Sequence, residues 1–522
     1  MMRLIAVLIW CASVLGDTAV MRIAGVAVDS VSGKPMKRLT VALSPVDRPT
    51  ARVGWRVTGD DGRFAFEVMP GKYRLMAERS GLPSQAFGAT SLATGFGVAV
   101  IAQPGQKTDD LVFRVHPPSA ISGKVVDEAM EPVENALVHL IRVRSVNGRN
   151  RAVIAGYAYT DDLGEYRFGG IASGRHYLAV TAEPWYTRDV GRGYNALGAG
   201  GNLQHDSFTP VYYTNTTDPR AAAPLAVEPG QEVAANFTMR TAPGHGVRVR
   251  FGGKDPTRAN NFRIQLLAES VQGTPVFTRA LNNFLERVIV PAGRYTVQVT
   301  DRRTGGLVAK KAVDVSASDV EVEIEAAEPT VVAGKVVSED GSVPRNAVLV
   351  LFDDETNAGM PRQLAADGSF RFVGLPPGHY RALFSERRGP HVVAVRRAGK
   401  PVESGVIEVG QVSVDNLELV MSTRAGRVKG FVYDGEKPAA GVLVVLAPSG
   451  GVRDMSRYLG FQTDSDGSYD FETVPPGEYS LFVTPDMDFE YANPQAVAPL
   501  AAKGKSVRAE DGRTVEERLD LR

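Results

Sequence analysis

The chain has 522 residues, 43% hydrophobic and 23% charged. That is too long for one hydrophobic core and too apolar for a disordered tether, so roughly three to five folded units are expected. Lys plus Arg and Asp plus Glu both number 59, and without a net field neither nucleic acid nor an anionic membrane surface is an expected partner.

At the N-terminus, Arg3 precedes an apolar run from Leu4 to Leu15 and a small residue, Gly16. This pattern predicts a signal peptide over residues 1–16, with the exported chain starting near Asp17 and destined for the periplasm, the cell surface or the medium. The run is short for a membrane span, and no later stretch reaches about 18 apolar residues, so no stable span is expected. The sole cysteine, Cys11, falls inside the signal, so neither disulfides nor thiol chemistry can serve the exported fold.

After the signal, one pattern repeats. The first unit (17–117) opens with Ile23-Ala24-Gly25-Val26-Ala27-Val28-Asp29. It continues with the acidic turn Asp60-Asp61-Gly62, the alternating rings Phe64 and Phe66, and the corner Pro70-Gly71-Lys72-Tyr73, and it closes on Leu111–Val115. Asp-Gly tolerates the positive φ of a tight turn, rings two residues apart share one strand face, and Pro-Gly forces a second turn before a returning strand. The second unit (118–241) repeats this with Ile121–Asp127, Asp161 to Phe168, and Ser173-Gly174-Arg175-His176-Tyr177, read as the corner with one residue inserted.

An insertion follows over 183–225, holding Trp185, Tyr186, Tyr194, Phe208, Tyr212 and Tyr213 among glycines. The third unit (242–328) keeps Pro291-Ala292-Gly293-Arg294-Tyr295 but lacks the opening glycine and the Asp-Gly turn. The fourth (329–423) and fifth (424–522) return to the full pattern, with Asp367-Gly368, Phe370 and Phe372, then Asp466-Gly467, Tyr469 and Phe471. About seven short strands per unit predict an all-β chain, a tandem array of about five transthyretin-like or Ig-like β-sandwiches. With almost no linker between units, a semi-rigid rod is expected.

The Gly-x-Val-x-Asp openings, the block from Thr160 to Phe168 and Leu375-Pro376-Pro377-Gly378-His379-Tyr380 resemble the carboxypeptidase regulatory-like domain, a transthyretin-like or prealbumin-like sandwich grouped with starch-binding-like folds. The resemblance covers most of the exported chain, and it implies adhesion, carbohydrate contact or domain support. The zinc-holding His-x-x-Glu pair of the associated carboxypeptidases is absent from all seven histidines, so metal-assisted hydrolysis has no scaffold. Collagen-adhesin B-type modules, which join a lysine to an asparagine, are a second resemblance, with Lys124 and Asn236, or Lys335 and Asn416, as candidates. Strand phase opposes both, because it turns each lysine away from the core.

No nucleophile, phosphate-loop or dinucleotide motif is present, so no catalytic residue, cofactor or metal is assigned. Asp464-Ser465-Asp466-Gly467 and Asp60-Asp61-Gly62 could offer oxygens to calcium but also form ordinary turns. Arg387, Arg388, Arg396 and Arg397 could hold an anion or form a solvated strand face. The six insertion aromatics are the candidate binding residues, with carbohydrate or an envelope protein as ligand; packing of the loop onto its own sandwich is the other reading. An envelope-assembly subunit, or an enzyme whose site lies between units, would be the alternatives. The oligomeric state is open.

Overall fold

The computed structural model describes residues 20–48, 52–89, 97–146, 149–185, 206–252, 262–271, 274–281, 287–302, 307–325, 330–338, 347–353, 359–375, 377–385, 390–402, 405–410, 412–450 and 457–521. The predicted signal, Arg387 and Arg388 lie outside them. Among the described residues ten sheets, two for each repeat, make a tandem array of five β-sandwiches.

In the first sandwich the opening strand Met21–Asp29 pairs antiparallel with the aromatic strand Arg63–Val68 and parallel with the closing strand Leu111–Val115. The facing sheet runs Gly54–Val57, Thr40–Pro45, Gly71–Arg79, with Leu82–Ala86 and Val100–Ala102 both on the last of these. The same plan returns around the opening strands Ser119–Val126, Thr241–Gly252, Val331–Ser338 and Gly426–Asp434.

The recurring residues explain why. The turn glycines Gly62, Gly164, Gly368 and Gly467 have φ of 68°, 74°, 82° and 77°, which a side chain would strain. The aspartates Asp61, Asp161, Asp367 and Asp466 each accept a hydrogen bond from the N–H two residues on. The ring pairs that follow are buried in separate cores.

The opening glycine has a steric reason. A Cβ on Gly25, Gly123, Gly334 or Gly430 would lie 2.1, 1.8, 2.2 or 1.8 Å from a closing-strand carbonyl oxygen. Where the first ring is tyrosine, Tyr166 and Tyr469, its hydroxyl donates to that same carbonyl, of Ala235 and Glu517 respectively. The third sandwich lacks this glycine and closes instead on an Arg248/Glu321 and Arg250/Glu323 register.

At the corner, the hydroxyls of Tyr73, Tyr295 and Tyr479 donate to the carbonyls of Met69, Pro291 and Pro475, four residues back, at 2.7–2.8 Å. In the second sandwich His176 does this, its Nε2 lying 2.9 Å from the Ala172 carbonyl. There is thus no inserted residue: His176 replaces the corner tyrosine, and Tyr177 faces the opposite side of the sheet, where it joins the core of the third sandwich.

Two sheets are covered on both faces. Ile141, Tyr177, Ala179 and Tyr212 of the second sandwich pack into one core with Val276, Leu266 and Val297 of the third. In the fifth, the helix Pro494–Ala501, capped by Asn493, covers Leu443, Val445 and Phe482. Nor does the chain extend as a rod, because the fifth sandwich folds back to touch the first: Lys72 pairs with Asp464 at 2.6 Å.

Candidate binding surface

The insertion divides in two. Asp206–Phe208 pairs with the opening strand of the third sandwich, Phe208 opposite Thr241, while the Phe208 ring enters the core of the second. Val211–Tyr212 adds to the corner strand Gly174–Thr181, and the Tyr212 hydroxyl donates to the Glu269 carbonyl across the seam. Tyr213 is half-buried against the second core. Of the three rings, Tyr212 joins the second and third sandwiches, whereas Phe208 and Tyr213 pack onto the second, and a ligand meets none of their faces in full. Trp185 is 72% exposed, whereas Tyr186 and Tyr194 lie outside the described residues.

The same sandwich carries a further exposed surface, unmarked in the sequence by any motif. Tyr157 and Tyr159, 57% and 65% exposed, stand two residues apart on the edge strand Arg149–Tyr159, so both rings point to the same side. Ala158 between them packs toward the core. His139, opposite Tyr157 in register, holds that ring edge-to-face at 5.4 Å. Leu137 lies between Tyr159 and Thr181 in the sheet, so the pair sits across from the point where the chain leaves for Trp185. In the first sandwich, Trp55 is 59% exposed on the edge strand Gly54–Val57. The available signal was the alternation Tyr157-Ala158-Tyr159, large outside and small inside.

The buried titratable groups have structural work. His139 donates from Nδ1 to the Ala179 carbonyl, 3.3 Å away, while Nε2 has no hydrogen-bond partner among the described residues. Burial lowers its pKa to about 4, so the ring is neutral. His176 is shifted down for the same reason. Burial raises the Asp464 carboxyl even though Lys72 opposes the shift.

Among the described residues no three His, Cys, Asp or Glu groups converge as metal ligands. Asp466 and Asp61 cap their own turns, and Asp464 turns to Lys72. Arg396 pairs with Glu418 on a solvated strand face. Asn236 directs its side-chain oxygen to the Lys124 backbone N–H at 2.9 Å, and Lys335 is exposed. Among the described residues no helix is long and apolar enough to cross a membrane.

The fold and these surfaces define a repeat protein of tandem β-sandwiches. No family model and no curated protein matches the chain. Among solved structures it is similar to a streptococcal ancillary pilin, at 13% identity over 53% of this chain and 99% of that one, with a TM-score of 0.19. It is also similar to the TIE protein of Bacillus anthracis (11%, 78% and 74%, TM-score 0.18) and to the minor pilin of Streptococcus agalactiae (12%, 43% and 97%, TM-score 0.21). Overlaps this loose leave the role of the chain to its own residues.

Proposed function

We propose that this chain is an exported, non-catalytic binding and scaffold protein of the cell envelope, built from carboxypeptidase regulatory-like sandwiches at 17–117, 118–241, 242–328, 329–423 and 424–522, and that its ligand is carbohydrate. The observation that carries the reading is the Tyr157 and Tyr159 pair, two flat rings held on one face of an edge strand and exposed. Exposed ring faces stack on the apolar faces of sugars, and a rigid strand keeps them aligned at little entropic cost. The buried histidines, by contrast, are neutral and enclosed, which suits support and not catalysis.

The test is binding of the exported chain to a panel of immobilised polysaccharides. Replacing Tyr157 and Tyr159 together by Ala should weaken binding about 10- to 30-fold if each ring contributes roughly 1 kcal/mol, with the melting temperature held. Retention of no polysaccharide by the unmodified chain would move the reading to a protein partner.

A further inference from the structure

The first and fifth sandwiches meet through residues 392 positions apart. In the first, the strand Val100–Ala102 pairs on one side with Gly71–Arg79. Its other side faces the acidic turn of the fifth: the Ser465 N–H donates to the Ala99 carbonyl at 3.0 Å, and the Ile101 N–H donates to the Ser465 hydroxyl at 3.2 Å. Ser465 thus meets this strand edge twice, once through its backbone N–H and once through its side-chain hydroxyl. Beside it, Asp464, its side chain 5% exposed, meets Lys72 at 2.6 Å. Gln462 donates to the Gly88 carbonyl, and Gly441 lies against Val98.

The repeats allow an internal comparison. Counting back from the turn glycine, Asp464 and Ser465 correspond to Gly59 and Asp60 in the first copy, to Asp161 and Asp162 in the second and to Ala365 and Ala366 in the fourth. None of those pairs combines a carboxylate with a hydroxyl. At the corner position of Lys72 the other copies carry Arg175, Arg294, His379 and Glu478. Asp464 also accepts from the Ser468 hydroxyl within its own turn at 3.4 Å, whereas the Ser465 hydroxyl and Lys72 reach across to the other sandwich.

We propose that the acidic turn of the fifth sandwich is a latch that caps the open strand edge of the first and closes the array on itself. Release exposes the Val100–Ala102 edge, a row of backbone donors and acceptors able to take another strand, and lets the sandwiches extend. The polar contacts of the latch are one partly solvated ion pair, one backbone rung from Ser465 to Ala99, and two side-chain bonds, Ile101 N–H to the Ser465 hydroxyl and Gln462 to Gly88, so charge and salt act on it.

Small-angle scattering of the full exported chain tests this. Five units in a ring have a radius of gyration about 1.5-fold below that of the same units in line. The unmodified chain should be in the small class. Lys72→Glu, which sets a like charge against Asp464, should raise the radius by about that factor without changing the melting temperature. A zero-length carbodiimide cross-link between Lys72 and Asp464, found in the monomer fraction by mass spectrometry, would support the closure independently of any variant. An unmodified chain already extended, a cross-link present only in dimers, or a Lys72→Glu variant as compact as its parent would each overturn it.

Discussion

Two contacts between sandwiches differ in chemistry. Where the second meets the third, rings and aliphatic side chains form one continuous core, and the polar groups that cross it, Thr181 to Phe277, Thr274 to Ala152 and Tyr212 to Glu269, satisfy carbonyls at its rim. Where the fifth meets the first, the contact is a short ladder and an ion pair, with Lys72 still 39% exposed. Apolar burial scales with area and is not screened by salt, whereas a partly solvated pair is screened and contributes little by itself. The first contact should therefore behave as part of folding, and the second as an equilibrium that solution conditions can move.

The largest effect expected is at the seam. Tyr212→Ala removes a ring that is 2% exposed, together with its bond to Glu269, and should cost about 4 kcal/mol in chemical denaturation. If the loss were under about 1 kcal/mol, the shared core would not hold the two sandwiches together.

Acid gives the next largest effect and separates the contacts. His139 lies under the seam with its pKa lowered to about 4 by burial, against about 6.5 in an unfolded chain. The folded state binds the proton less readily, so the stability it contributes is present above pH 6.5 and is lost as pH falls, about 3 kcal/mol by pH 4. His139→Phe should flatten denaturation free energies over that window. At the latch, burial raises the Asp464 carboxyl while Lys72 opposes the shift, and the pair, with Lys72 39% exposed, is open to screening by salt. Salt should open the latch and acid should loosen the seam.

What could be read from the sequence had local causes. An Asp-Gly step fixes φ, paired rings fix strand phase, and a corner fixes the return, so the sandwich plan followed from residues near one another. Outer faces were harder. Ala136-Leu137-Val138-His139-Leu140-Ile141 carries apolar residues on both phases, the mark of a strand covered on both sides. Leu443–Pro448, buried throughout, has the same mark and lies under the helix. The candidate site misled for a related reason, since rings in a loop announce themselves by composition while their exposure depends on distant partners. Phe208 and Tyr212 are packed, while the exposed pair sits on a regular strand whose alternation looks ordinary. Nothing local could pair Lys72 with Asp464.

The smallest effect expected concerns the corner of the second sandwich, which decides which residue faces the seam. His176 replaces the corner tyrosine, and its Nδ1 is buried without a hydrogen-bond partner among the described residues. His176→Tyr restores the hydroxyl that Tyr73, Tyr295 and Tyr479 use, removes that unpaired nitrogen, and leaves Tyr177 on the seam side. We expect the variant to stay within about 1 kcal/mol of its parent, whereas His176→Ala, which strands a buried carbonyl, should lose about 1–3 kcal/mol. Equal losses from both would mean that the corner has contracted around the imidazole and that a phenol overpacks it. The difference between the two substitutions therefore measures the corner bond alone, in a strand whose other face belongs to the seam.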